Sequence, residues 1–433
     1  MIKIEKLIFK GYGLGHDEFG KTYMIKKSVP EDVLEVEVTK DKKKYAEAKI
    51  KSIVVASPLR DIPTCPYFDA CGGCEHQNIS YDNQLKLKQA IFAESLARQG
   101  IETQILPIKA GSDQEFHYRN VIRYYFYIDS KKQAHLAMHD FADSSRLIPI
   151  HDCLLQSQTG AKIANEILDF INQNAKNKSN LYQLRFREGS YTGDFMIELV
   201  TLDHSLPYQD KLKEFITAFP QIKSFFHTIA PEHNNYNWER RLIFGSPIIF
   251  EKIGKFSFQI SPESFFQTNS AGAKALYDEI KSLSEIKIGD NILDLYCGTG
   301  TIGIYLSTLA KKITGVEVIQ SAINDAKSNA KINHVVNTEF ICADVAKWLK
   351  QNKTLNLNKI IVDPPRDGLT RNIILDICNM QFDTLIYVSC NPATFARDTK
   401  IFQENGLALS KVQPIDIFPQ THHIECIGMI KKP

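Results

Sequence analysis

The chain has 433 residues with an apolar share of 43% and a charged share of 24%, a globular composition too long for one core, which predicts two or three domains. Its formal net charge of +2 excludes a strongly basic or acidic protein and leaves any nucleic-acid surface to local clustering. The start MIKIEK and the lack of any run of about 18 apolar residues predict neither a secretory signal nor a membrane span, and so a cytoplasmic protein whose nine cysteines are reduced thiols or metal ligands.

Residues 1–58 alternate in the manner of short strands, with Gly11, Gly13, Gly15 and Gly20 at turns, which predicts a small β-barrel. Lys40, Lys42, Lys43, Lys44, Lys49 and Lys51 cluster there against Asp41 and Glu47, a candidate RNA surface or simply a solvated strand pair. Pro58 and Pro63 then open a loop in which Cys65, Cys71 and Cys74 stand close together, with Gly72 and Gly73 leaving room beside the backbone. Zinc and iron–sulfur clusters both use such loops, and a fourth ligand is missing locally; His76 is one candidate for zinc. Helical spacing over 83–99 stops at Gly100. Residues 118–255 mix a strand-like run at 121–127 with a helical pattern at 160–173, which predicts an α+β middle domain. Within it, 118–123 interleaves aromatic and arginine side chains, as an RNA-contacting strand or a half-buried one would. From 256 onward strand and helix patterns alternate, the mark of a doubly wound sheet.

Five apolar runs in that last region, 291–294, 313–317, 340–344, 359–363 and 385–390, end on Asp294, Glu317, Asp344, Asp363 and Cys390. The carboxyl ends of parallel strands share one edge, so four carboxylates and a thiol are expected around a single crevice. Between the first run and a helix predicted over 302–309, Gly298, Gly300 and Gly303 admit a ligand close to the backbone. That loop also satisfies a dinucleotide fingerprint, so a nicotinamide dehydrogenase is one alternative. A non-catalytic RNA-binding module is another. The acids at successive strand ends instead give the layout of a methyltransferase using S-adenosylmethionine, with Glu317 toward ribose hydroxyls and Asp344 toward the adenine amino group.

Asp363 opens a Pro-Pro-Arg segment that holds its side chain in one direction. Cys390, at a strand end before a turn, is expected to face the crevice, whereas Cys297, Cys342 and Cys378 are read as packed apolar residues. A thiolate beside a methyl donor has a specific use: adding to carbon 6 of a pyrimidine makes carbon 5 nucleophilic. A base must then remove the carbon 5 proton, and Glu425, His422 and His423 are all candidates.

The combination of DLYCGTG at 294–300, DPPRDGL at 363–369, SCNPATFARD at 389–398 and FPQTHHIE at 418–425 resembles the uracil-5 RNA methyltransferases. The run CPYFDACGGC at 65–74 behind a TRAM-like barrel is similar to the iron–sulfur branch of that family, typified by bacterial 23S ribosomal RNA enzymes. The resemblance implies Cys390 as nucleophile, Glu425 as base, and Gln267, Tyr296, Thr301, Glu317, Asp344 and Asp363 as donor-binding residues. It departs at Thr301, where an Asn is common. It also implies a four-iron, four-sulfur cluster on Cys65, Cys71, Cys74 and Cys153. The implied architecture is a TRAM or OB-like barrel over 1–58, an α+β middle domain over 59–255, and a class I, Rossmann-like methyltransferase domain over 256–433. The implied partners are S-adenosylmethionine and RNA, with 23S ribosomal RNA ahead of transfer RNA, for a monomer that reaches its target uracil by turning the base out of the stack.

Overall fold

In a computed structural model, residues 1–231 and 238–432 are described. The chain forms two compact units that are not consecutive segments: Met1–Thr64, Cys74–Glu115 and Ala271–Pro433 make one, and Cys65–Gly73 with Phe116–Ser270 make the other.

In the first unit the strands Ile2–Ile8, Tyr12–His16, Thr22–Lys26, Val33–Asp41 and Tyr45–Val55 close into a barrel. Alternation turns Ile2, Ile4, Ile25, Leu34 and Ala48 inward, and these form its core. On the outer surface Lys40, Lys49 and Lys51 lie 3.5, 3.0 and 3.8 Å from Glu47, Glu37 and Glu35. Half of the lysine cluster is therefore matched by its own carboxylates. Such exposed pairs contribute at most about 1 kcal/mol each.

The same unit holds a nine-stranded sheet. Its parallel part runs Thr338–Cys342, Lys312–Glu317, Asn291–Leu295, Lys359–Val362 and Thr384–Ser389. Glu425–Lys431 follows, antiparallel to Thr384–Ser389 on one side and to Ala408–Asp416 on the other. Every residue of Lys359–Val362 and Thr384–Ser389 is buried, as expected for strands covered on both faces. The order reverses beside Asn291–Leu295, whose neighbours are the second and fourth strands of the series, and this switch point is where an open sheet leaves a crevice.

Residues 74–115 belong with this sheet because the helix Tyr81–Ala97 buries Ile91, Phe92 and Leu96 in its core, with the Phe92 and Phe395 rings 5.8 Å apart. The short strands Gln104–Ile105 and Lys109–Ala110 then extend the sheet beside Ala408–Asp416. The third strand ends at Cys342, two residues short of Asp344.

The second unit is built on a seven-stranded sheet that includes Val121–Ile128, Leu181–Gly189, Asp194–Thr201, Ile222–Ile229 and Glu239–Gly245 in neighbouring positions. One face carries Tyr124, Phe126, Leu184, Ile197 and Leu199 into a core shared with the helices Gln158–Asn174 and Gln209–Ile216. No helix among the described residues is long and apolar enough to cross a membrane.

Candidate active site

Asp294 is the last residue but one of the strand Asn291–Leu295 and is 0% exposed. Neither of its oxygens completes a hydrogen bond among the described residues, and the Gly303 amide only moderates the effect of burial. Burial first, then the charge of Asp363, pushes the Asp294 carboxyl up to about 8. Asp363, one residue past the end of its strand, is half-buried, and burial pushes it up to about 7. The switch point thus gathers carboxyls that resist ionising together.

The loop above them is shaped by its backbone. Tyr296, Gly298 and Gly300 all take positive φ, at 64°, 51° and 76°. A side chain at Gly300 would meet the Phe340 ring at 2.7 Å, so glycine there is required by space as well as by conformation. Thr301 begins the helix Thr301–Leu306, and its hydroxyl lies 2.9 Å from the hydroxyl of buried Tyr277. Glu317 accepts from the amides of Val318 at 2.8 Å, Ile319 at 3.0 Å and Gly298 at 3.3 Å, so its carboxylate is turned back onto the glycine loop. Burial, then the charges of Asp344 and Glu317, raises the Tyr296 phenol to about 12, which places these three side chains in one electrostatic neighbourhood. Asp344 is exposed and caps the helix Val345–Gln351 by accepting from the Lys347 amide at 2.9 Å.

Cys390 and Glu425 meet through strand register. The last registered pair between their antiparallel strands is Ser389 with Cys426, and one step further the same register sets Cys390 opposite Glu425. Burial, then Glu425, then Asp363 push the Cys390 thiol up to about 12, while Arg366 opposes them. Glu425 is 5% exposed, and burial followed by the charge of Asp363 raises it well above the usual carboxyl range. His422 Nδ1 lies 3.3 Å from Glu75, and burial keeps His423 neutral down to about pH 3.

Several residues that brace this site were missed from sequence. Asn391 caps the helix Pro392–Glu404 through the Ala393 and Thr394 amides and also donates to the Arg366 carbonyl at 3.0 Å. Buried Asp398 accepts from the Tyr387 hydroxyl at 2.6 Å and the Leu369 amide at 2.7 Å, and Arg397 donates to the carbonyls of Asp367 and Leu369. The tail of SCNPATFARD therefore fixes the loop DPPRDGL; its mixture of Asn, Arg and Asp beside that loop was the available signal. In the same unit Gln84 and Gln420 exchange hydrogen bonds at 2.9 and 3.0 Å, and Lys88 pairs with Asp416 at 2.8 Å, both of the latter side chains fully buried.

The other expected site residues are placed separately. Gln267 lies in the second unit, where its carbonyl accepts from Asn120 at 3.0 Å. Cys65, Cys71 and Cys153 share that unit. Burial raises the Cys153 thiol to about 11, with Cys71 and Cys65 as electrostatic neighbours. A side chain at Gly72 would press on the His139 carbonyl at 3.2 Å. Cys74 falls in the first unit. Among the described residues no three His, Cys, Asp or Glu side chains are drawn together as a metal-holding group. The donor chemistry, neighbouring thiols beside small residues, fits a thiolate-bound cluster; a converged ligand set is not formed. Of the cysteines expected to be packed, Cys297 is buried and Cys378 half-buried, but Cys342 is exposed, because its strand is the outermost of the sheet.

A sequence profile of the family described as tRNA (Uracil-5-)-methyltransferase matches residues 80–433, and one described as the TRAM domain matches residues 1–51. A protein of Caldanaerobacter subterraneus subsp. tengcongensis named an uncharacterized RNA methyltransferase is 34% identical over 448 residues, covering 100% of this chain and 98% of its own. A protein of the same description from Fusobacterium nucleatum is 34% identical over 447 residues, covering 100% and 95%. The fold is similar over 99% of this chain, and 100% of the other, to the crystal structure of Pyrococcus abyssi tRNA (uracil-54, C5)-methyltransferase in complex with S-adenosyl-L-homocysteine, with a TM-score of 0.77 at 26% identity.

Proposed function

This chain belongs to the tRNA (uracil-5-)-methyltransferase family of RNA-modifying enzymes, and from that premise we propose that it methylates carbon 5 of a uridine in 23S ribosomal RNA through a covalent adduct on Cys390. The observation that carries this reading is the register that sets Cys390 opposite Glu425 beside Asp363. Bound S-adenosylmethionine supplies an electrophilic sulfonium methyl group. A crevice of buried carboxyls with raised proton affinity suits a cationic ligand, whose charge restores the ionised state that burial opposes. Tyr296, Thr301, Glu317, Asp344, Asp363 and Gln267 are assigned to hold the donor.

Cys390 loses its proton to solvent and adds to carbon 6 of the uracil, moving the ring electrons onto the carbonyl oxygen. Carbon 5 then takes the methyl group as the carbon–sulfur bond of the donor breaks. Glu425 removes the carbon 5 proton, the double bond re-forms and the thiolate leaves. Asp363 accepts from the uracil N3–H or the donor amine, and the Asn391, Arg397 and Asp398 braces keep its loop aimed.

The barrel, assigned here to 1–58, and the middle region, 59–255, serve RNA binding apart from 74–115, which packs with the sheet of 256–433 that carries the chemistry. We assign Cys65, Cys71, Cys74 and Cys153 to a four-iron cluster that organises the middle region. Anaerobic purification should yield a brown protein with stoichiometric iron and sulfide; zinc without iron would overturn that assignment.

A second reading, a uridine of transfer RNA, is favoured by the whole-length likeness to an enzyme described as acting on uracil 54 of tRNA. Mass-spectrometric mapping of 5-methyluridine in both RNAs from cells lacking this gene separates the two. Loss from 23S ribosomal RNA supports the first reading, and loss from transfer RNA alone replaces it with the second.

A further inference from the structure

The sheet of the second unit has one face in the core, and its other face carries arginines. In the register of the three central strands Arg123 stands directly opposite Arg185, and Arg185 opposite Glu198, while Arg187 lies two residues along on the same face. Like charges placed directly opposite each other across strands are destabilising, so folding alone does not favour this pairing. Above it opens a cavity of about 640 Å³, within the roughly 300–1,000 Å³ of sites that take small molecules. Arg123, Arg185, Arg187 and Arg240 line it against two carboxylates, Glu198 and Glu263, which leaves an excess of two positive charges.

The four guanidinium groups are not equivalent. Arg240 is committed to Glu198 at 3.1 Å and Glu263 at 2.6 Å. Arg185 donates to Gln183 at 2.7 Å and lies 4.0 Å from the centre of the Trp238 ring, so indole and guanidinium make one flat platform. Arg123 and Arg187 have no side-chain hydrogen bond or ion pair among the described residues. Burial, and the guanidinium groups of Arg123, Arg240 and Arg185 acting against Glu198, lower Arg187 to about 10. Two donor forks without acceptors therefore stand beside a stacking surface.

We propose that this cavity binds one nucleotide of the substrate RNA other than the target uridine, its phosphodiester on Arg123 and Arg187 and its base on the Trp238–Arg185 platform. The proposal deepens the reading of the chain as an RNA methyltransferase and rests on it. A single-stranded nucleotide is favoured over a paired one, because a base within a duplex offers no free face to the indole.

The test uses the full chain and a fluorescent 12-nucleotide oligouridylate. In Arg123→Gln/Arg187→Gln the dissociation constant should rise about tenfold or more, and the salt dependence should flatten by about 0.7 for the one phosphate no longer neutralised. Calorimetry with S-adenosylmethionine should give unchanged affinity, which confirms an intact fold. Should the double variant not fold, Arg123→Gln alone alters an exposed residue and should flatten the slope in the same direction by less than about 0.7. The oligonucleotide should quench tryptophan emission in the wild type and not in Trp238→Phe. Unchanged affinity and slope, quenching that persists in Trp238→Phe, or polyglutamate competing as well as the oligonucleotide would overturn the proposal. Its failure differs from failure of the functional reading: the first appears as normal KM for RNA methylation in the double variant, the second as no 5-methyluridine formed while arginine-dependent RNA binding persists.

Discussion

At the carboxyl edge of the sheet in the first unit, Asp294, Asp363 and Glu425 crowd negative charge until burial drives all three toward the protonated form. On the open face of the sheet in the second unit, Arg123, Arg185 and Arg187 crowd positive charge, and a guanidinium group cannot shed its proton in the same way. The acidic edge can hold protons until a cationic donor arrives, whereas the basic face stays charged and waits for an anion. Each carries an imbalance that a ligand of opposite sign relieves, and one buried pair nearby, Lys88 with Asp416, shows what internal relief looks like.

The largest expected effect removes the thiol from the acidic edge. Cys390→Ala should lower methylation to below roughly one part in ten thousand while leaving RNA affinity within about twofold, measured by tritium transfer and filter binding. Breaking the internally relieved pair comes next: Asp416→Asn leaves the Lys88 ammonium buried and unmatched and should cost about 3–5 kcal/mol in denaturant unfolding. Glu317→Ala removes the acceptor turned toward the glycine loop and should weaken donor binding by about 1–3 kcal/mol in calorimetry.

The smallest effects are read through pH. Asp294 has a raised folded value, so its contribution to stability is complete below pH 4 and is lost as pH rises through about 8. Asp294→Asn should therefore match the wild type in thermal unfolding near pH 4 and exceed it near pH 8. An equal difference at both pH values would mean that the carboxyl is not held protonated. In the free enzyme, alkylation of Cys390 by iodoacetamide should keep accelerating above pH 9, where an ordinary thiol, titrating at about 8.5, has levelled off.

How much of this was legible in the sequence depends on how local each feature is. The inner parallel strands were readable because strands covered on both faces are continuous apolar runs, and the glycine loop because positive φ demands particular residues. Asp344 was read as a strand end and is instead a helix cap two residues beyond it, because a capping Asp and a strand-terminal Asp look alike in sequence. The preference for Glu425 over His422 and His423 rested on the family resemblance alone; the placement of Glu425 opposite Cys390 depends on the antiparallel register of the last strand, which no local pattern encodes. The joining of 74–115 to the doubly wound sheet was hidden for the same reason, since it depends on Phe92 finding Phe395 some three hundred residues away. Arg123, Arg185, Arg187 and Arg240 come from separate strands and form no motif, so the basic face appears only when the sheet is assembled.

The proposed chemistry at the acidic edge passes through a covalent adduct, and RNA carrying 5-fluorouridine at the target position tests it most directly. Fluorine cannot leave carbon 5 as a cation, so the wild-type enzyme and S-adenosylmethionine should give a protein–RNA band that survives a denaturing gel, with the methylated base attached to the peptide containing Cys390. Glu425→Gln should give the same band with ordinary uridine, since carbon 5 of the bound uracil takes the methyl group but keeps its proton, and the thiolate cannot leave. Methylation by Cys390→Ala, or no adduct between the wild-type enzyme and the fluorinated RNA, would contradict the mechanism.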